Sequence, residues 1–136
     1  MIKLIEKKHS LLHLAFHSFC GREGEILLAP LDVHFDQENI VRPDLIYIRL
    51  ERMEIIRDGY VFGVPDLVME IMSESTGKRG KTIKKLYERF GVKEYWVVDP
   101  VYRLVEPFML DNGRYLLEAI LTEQDRRTIW ASTSLT

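Results

Sequence analysis

The stretch from Val64 to Met72 constrains this chain most. After Pro65 it is almost continuously apolar, and it reads as a β-strand covered on both faces. Yet it carries two carboxylates. With the two-residue period of a strand, Asp66, Val68, Glu70 and Met72 share one face, and Leu67, Met69 and Ile71 share the other. If the strand is central, Glu70 cannot easily reach water. An isolated ionised carboxylate in such a place costs several kcal/mol or titrates to neutral, unless a cation or several donors meet it.

Two readings of these acids are open. In one, Glu70 pairs with an Arg or Lys of a neighbouring strand. The other starts from a second Pro-Asp step, Pro43-Asp44, which opens another apolar stretch, with Asp44 on the face of Ile46, Ile48 and Leu50. Three acids at strand ends are the kind of oxygen cluster that holds a hard divalent cation such as Mg2+.

Around these strands, hydrophobic periodicity predicts helices at Ser10–Cys20 and Lys81–Phe90. Strands are expected at Glu25–Pro30, Asp32–Phe35, Ile40–Leu50 and Glu94–Asp99, with a short aromatic piece at Gly59–Gly63. Glu51–Asp58 is ambiguous. Arg103–Leu110 and Tyr115–Leu121 flank Asp111-Asn112-Gly113, a hairpin signal, and a polar tail follows Glu123. The expected fold is α/β, a mixed β-sheet flanked by α-helices. With 136 residues, 46% of them hydrophobic, the chain is long enough for one domain and too short for two, so residues 1–136 are expected to form a single domain.

Charge and cysteine content exclude some functions. Nineteen basic against twenty-one acidic residues argue against a wholly cationic nucleic-acid binder, though not against a local basic patch. A single cysteine, Cys20, allows no intrachain disulfide and no four-thiolate zinc site, and fits a reducing compartment. No run approaches the roughly 18 apolar residues of a membrane span, and residues 1–8 lack the apolar core of a secretory signal. A soluble cytoplasmic protein is expected.

Several segments occur in a distinctive order: Leu28-Ala29-Pro30 with Asp32-Val33; Val41-Arg42-Pro43-Asp44-Leu45; Val64-Pro65-Asp66-Leu67-Val68-Met69-Glu70-Ile71; Ser73, Ser75 and Thr76; and Leu86 through Pro100. In this the chain resembles the Uma-two family of restriction-endonuclease-type proteins, a branch of the PD-(D/E)XK nuclease superfamily. The resemblance covers about residues 9–121. It implies a restriction-endonuclease-like fold, dependence on Mg2+ or Mn2+, phosphodiester hydrolysis in DNA, and homodimerisation. By position it makes Asp44 and Glu70 the metal-holding acids and adds Asp66, which opens the second strand. The lysine usually found two residues after the Glu is replaced by Met72. In this branch the following helix supplies it, and Lys84 is the best match. On the helix, Lys84 lies about 100° from the centre of the apolar stripe, so its stem could pass around the edge. The implied catalytic set is Asp44, Asp66, Glu70 and Lys84. Lys84 can equally be a solvated helix lysine.

The chain departs from the family pattern in places. Glu74 replaces a proline in the family's Ser-Pro-Ser-Thr, and Gly80 stands where an acid is usual. Lys84 precedes Tyr87 by three residues instead of four, which rotates it by about 100° if Tyr87 keeps its place. An upstream segment with a further Glu is expected to be missing, and the C-terminal end to be shortened. These departures leave the fold intact more easily than the activity. The alternative function is therefore a non-catalytic nuclease-fold module for DNA binding or interaction, and a third reading is a structural subunit with salt-bridged acids.

Other signals carry less. Lys78, Arg79, Lys81 and Lys85, together with Lys84, Arg89 and Lys93, form a local basic cluster. It is either a solvated face or a track for a DNA backbone. His9, His13 and His17 repeat every four residues, a spacing that zinc could use and that equally suits a polar flank. Tyr87, Tyr95 and Trp96 read as core and helix-packing residues, and Cys20 as a small buried hydrophobe. No motif here reads bases.

Overall fold

In a computed structural model the structure describes residues 23–73 and 79–122. The helix expected over Ser10–Cys20, the three histidines, Cys20, Lys78 and the tail lie outside the described residues.

The apolar run forms a central strand. In chain order the strands are β1 (Gly24–Leu28), β2 (Val33–His34), β3 (Ile40–Val41), β4 (Leu45–Arg49), β5 (Ile56–Arg57) and β6 (Tyr60–Phe62), followed by β7 (Leu67–Ile71), β8 (Glu94–Asp99), β9 (Leu104–Asp111), β10 (Arg114–Leu117) and β11 (Leu121–Thr122). A 3-10 segment covers Leu50–Ile55, and one α-helix, α1 (Arg79–Phe90), connects β7 to β8. The larger sheet runs β1-β4-β7-β8-β9-β10, with β11 also on β9; the smaller runs β3-β2-β6-β5. The β7–β8 pair is parallel and is bridged by α1, the βαβ arrangement that parallel neighbours require. The other pairs of the larger sheet are antiparallel.

Burial follows strand parity. On one face of the larger sheet Leu45, Tyr47, Leu67, Met69, Ile71, Trp96, Val98 and Val105 form one cluster. On the other, Ile46, Ile48, Val68 and Tyr95 pack with Tyr87 of α1 and with Val33 and Val61 of the smaller sheet. Leu67, Val68 and Met69 are each fully buried, as a strand covered on both sides demands.

Three expectations are corrected. Ile40–Leu50 is not one strand: the chain leaves the smaller sheet at β3, turns through Arg42-Pro43-Asp44, and joins the larger sheet at β4. Pro43 lacks an N–H to continue a ladder and is itself buried. Arg42 pins the turn to Asp32 at 2.6 Å. Tyr115–Leu121 likewise divides into β10 and β11. Glu118 N–H still reaches the carbonyl of Pro107, but Pro107 has no N–H to return, and the ladder breaks there. Third, the described residues place one α-helix against one face of the larger sheet, so the expected flanking by helices is met only in part.

The ambiguous Glu51–Asp58 resolves into the 3-10 segment and β5, which turns into β6 at Asp58-Gly59. Asp58 has φ 53° and Gly59 φ 80°; Asn112 and Gly113 repeat the pattern at 50° and 79° between β9 and β10. Both are two-residue turns whose twist matches paired strands.

Because β7 is packed on both sides, Leu67→Ala is expected to cost about 2–5 kcal/mol. Leu116→Ala, on the exposed side of β10, should change stability by less than about 0.5 kcal/mol. Denaturant unfolding of the two variants checks the contrast.

Candidate active site

The antiparallel register of β4 and β7 creates the site. Leu45 lies opposite Met69, Ile46 opposite Val68, and Tyr47 opposite Leu67. One step further the same register sets Asp44 against Glu70. Both have the parity of Ile46 and Val68, so both carboxylates stand on the α1 side of the sheet. Directly opposed residues have Cβ atoms about 5 Å apart, and like charges there repel.

Several contacts hold the pair in place. Ala29 N–H binds the Asp44 carbonyl at 3.0 Å, fixing the backbone where β4 begins. The Asp44 side chain reaches across to β7, where its Oδ2 accepts the Ile71 N–H at 2.7 Å. Glu70 Oε1 accepts the Tyr87 hydroxyl of α1 at 2.5 Å. Burial pushes the Glu70 carboxyl up to about 7; the Tyr87 hydrogen bond opposes this, and Asp44 adds to it. Burial and the neighbouring Glu70 likewise raise Tyr87 well above the ordinary phenol range, so its hydroxyl stays protonated and donates.

The other expected site residues lie elsewhere. Asp66 begins the same strand, but four residues separate it from Glu70, about 13 Å along β7. Its carboxylate is buried and already occupied: Oδ1 binds Arg52 Nη1 at 2.9 Å, and Oδ2 takes the Arg49 N–H at 2.8 Å. Arg52 Nη2 also donates to the Val64 carbonyl at 2.7 Å, fastening the 3-10 segment to the approach of β7. Asp66 therefore has a structural contact set, which answers one of the two readings of the strand acids, though for Asp66 and not for Glu70. Arg52 had no sequence signal, because its segment was ambiguous.

Lys84 is half-buried, as its place at the stripe's edge suggests, but its ammonium rests over the Phe108 ring, 4.0 Å from the centroid. Phe108 is opposite Tyr95, which is opposite Val68, so Lys84 sits over β9, two strands and roughly 10 Å across from β7. The residue that α1 brings to the acids is Tyr87. It is 1% exposed, wedged between Phe35 and Tyr95. Its core character was readable from the helical period, and a buried phenol needs a hydrogen-bond partner; nothing in the sequence named Glu70 as that partner. Lys81 and Lys85 are exposed on α1.

The donor set fits a hard divalent cation. Beyond the bonds described, the Asp44 and Glu70 side chains hydrogen-bond each other, so their remaining oxygens face one another. Among the described residues no group of three His, Cys, Asp or Glu forms a ligand cluster. Mg2+ commonly uses one or two carboxylates and fills its remaining positions with water and phosphate oxygens.

A model of the family described as "Putative restriction endonuclease" matches residues 5–133. The chain belongs to this Uma2 family. A crystal structure described as a "putative nuclease belonging to DUF820", from Anabaena variabilis, is similar in fold, with a TM-score of 0.60 at 14% identity over 93% of this chain and 79% of that one. No curated protein matches. Among the described residues no helix is long and apolar enough to cross a membrane.

The raised Glu70 carboxyl sets a sign for pH dependence in the metal-free protein. The folded state holds this proton more tightly than the unfolded chain, whose carboxyl titrates near 4.5. The contribution to stability is therefore full below about pH 4.5, is lost as pH rises to about 7, and is flat above that. Its span is at most a few kcal/mol, at about 1.4 kcal/mol per pH unit. Melting temperatures from pH 5 to 8 should fall for wild type and fall much less for Glu70→Gln. Asp66→Ala should behave oppositely to a relieved repulsion, losing about 2–3 kcal/mol at neutral pH by leaving Arg52 and the Arg49 N–H without their acceptor.

Proposed function

We propose that this chain is a Mg2+- or Mn2+-dependent DNA endonuclease that hydrolyses phosphodiester bonds, with Asp44 and Glu70 as its metal-holding acids. The observation that carries the reading is the register of β4 against β7, which sets two carboxylates face to face with no cation among their described partners. Two ionised carboxylates placed opposite each other repel; a proton shared by the pair relieves this in the metal-free fold, and a bound cation would relieve it in the ionised form. When bound, the ion polarises a phosphate oxygen and acidifies an attacking water. Asp44, locked by the Ile71 N–H, would be the rigid ligand, and Glu70 in its ionised form would be the second. Metal affinity should therefore rise with pH up to about 7. Lys81 and Lys85 lie on the helix that covers the same face of the sheet, where exposed cations would meet phosphates of the DNA backbone. Arg79 opens that helix, and Lys78 precedes it. Family membership supports the hydrolytic chemistry; the proposed homodimer follows only from the family resemblance.

The alternative is a non-catalytic DNA-binding or interaction module on the same fold. The position of Lys84 favours it: the implied catalytic lysine is engaged with Phe108 and leaves the acids without a cationic partner from α1 among the contacts described. For Lys84 to act, its stem must swing from β9 toward β7.

Thermal unfolding with and without millimolar Mn2+ separates the readings, because an ion that binds the native state stabilises it, by about 2.7 kcal/mol at one hundred times its Kd. Wild type should rise and Glu70→Ala should not. Plasmid cleavage in Mg2+ should then drop by at least about two orders of magnitude in Asp44→Ala and Glu70→Ala. DNA binding that persists without metal, with no cleavage, assigns the protein to the non-catalytic class.

A further inference from the structure

Glu70 is held from one side by a group that the reaction chemistry above does not use. Tyr87 is on the buried stripe of α1, with its ring at 5.8 Å from Phe35 and 5.2 Å from Tyr95 between centroids. That packing fixes the phenol on both flanks, and at 1% exposure it has no freedom to turn toward solvent. Its hydroxyl ends 2.5 Å from Glu70 Oε1. A carboxylate on a flexible two-carbon stem thus has one oxygen anchored by a rigid donor, and the same carboxyl also hydrogen-bonds the Asp44 side chain.

We propose that Tyr87 is the positioning residue of this site, a hydroxyl that holds Glu70 in the orientation in which it can share a divalent cation with Asp44. The proposal rests on the reading of Asp44 and Glu70 as metal ligands and adds to it the group that prepares one of them. Tyr87 removes rotational freedom from the ligand before the ion arrives. Groups of this kind around metal ligands are commonly worth 10- to 100-fold in affinity. Lys84 is three residues away on the same helix, so its direction differs by about 60° from that of Tyr87. The two side chains therefore divide the sheet between them, Tyr87 to β7 and Lys84 to β9.

The structure also supplies a control. Tyr115 belongs to the same aromatic layer, 5.7 Å from Tyr95, and its hydroxyl donates to the Val92 carbonyl at 2.6 Å. It is a buried phenol with a structural bond and no contact with either acid among those described. Tyr87→Phe and Tyr115→Phe each remove one hydroxyl while keeping the ring.

The experiment is titration of the full chain with Mn2+ alone, followed by electron paramagnetic resonance of the free ion, with circular dichroism to confirm folding. Wild type should bind. Tyr87→Phe should bind at least about tenfold more weakly, and Tyr115→Phe should match wild type in affinity even if its melting temperature falls. Glu70→Asp, which draws the carboxylate back from the phenol, should also weaken binding. Adding Tyr87→Phe to it should then cost little more, because the bond is already lost. This second comparison keeps the question decidable if either single variant folds poorly. Unchanged or tighter Mn2+ binding in Tyr87→Phe, with loss in Glu70→Ala, overturns the role of Tyr87 and leaves the metal site standing. An equal loss in Tyr115→Phe assigns the effect to general packing and also overturns it. Absence of Mn2+ binding in wild type overturns the metal reading itself, and the Tyr87 proposal with it.

Discussion

Two carboxylates face each other across neighbouring strands, and the surrounding structure is arranged around holding them there. The register of β4 on β7 sets Asp44 opposite Glu70, and the cross-strand bond from the Ile71 N–H to Asp44 allows little slippage at that end. A slip of β4 by one residue would turn Asp44 away from α1 and from Glu70, and would drive Ile46 and Ile48 to the other face. Core packing and site geometry are thus enforced by the same ladder. The approach to β4 is fastened as well. Pro43 is buried, Arg42 is tied to Asp32, and the Asp44 carbonyl is held by Ala29. The smaller sheet, which contributes Val33 and Val61 to the core, serves as the platform from which the chain delivers Asp44.

The second requirement is an environment in which at least one acid resists ionising on its own. Phe35, Tyr87, Tyr95, Phe108 and Tyr115 form one connected aromatic layer on the α1 face of the sheet, and its Tyr87 contacts Glu70. A carboxyl raised to about 7 holds its proton in mildly acidic solution and ionises near neutrality. The same layer occupies Lys84, whose ammonium is drawn to the Phe108 face. One structural element thereby sets the proton affinity of Glu70 and the resting place of the lysine.

Asp66 shows why residue type alone could not define the site. It shares a strand and a face parity with Glu70, opens the strand after a proline just as Asp44 does, and looks equally anomalous in an apolar run. Its partners come from Arg49 and Arg52, more than a dozen residues earlier in the chain, and they make it a brace for the 3-10 segment. Periodicity placed Tyr87 in the core correctly, and its contact with Glu70 is made by the one atom that periodicity does not see. Lys84 was read correctly at the edge of the buried stripe. Which way a long stem leaves that edge depends on what lies beneath it, here a ring on β9.

The sequence by itself determined the central strand, the helix and strand that follow it, the hairpin at Asn112-Gly113 and the shared face of Asp66, Val68 and Glu70, because these depend on local periodicity and turn chemistry. Order and spacing of segments also carried the family resemblance. Tertiary structure decided the rest: that Asp44 meets Glu70, that Asp66 meets Arg52, that Tyr87 and not Lys84 touches the acids, and that one predicted strand belongs to two sheets. Those outcomes depend on register and on contacts between residues distant in the chain. A side chain's own neighbours in sequence carry no information about which distant partner the packed sheet will set opposite it.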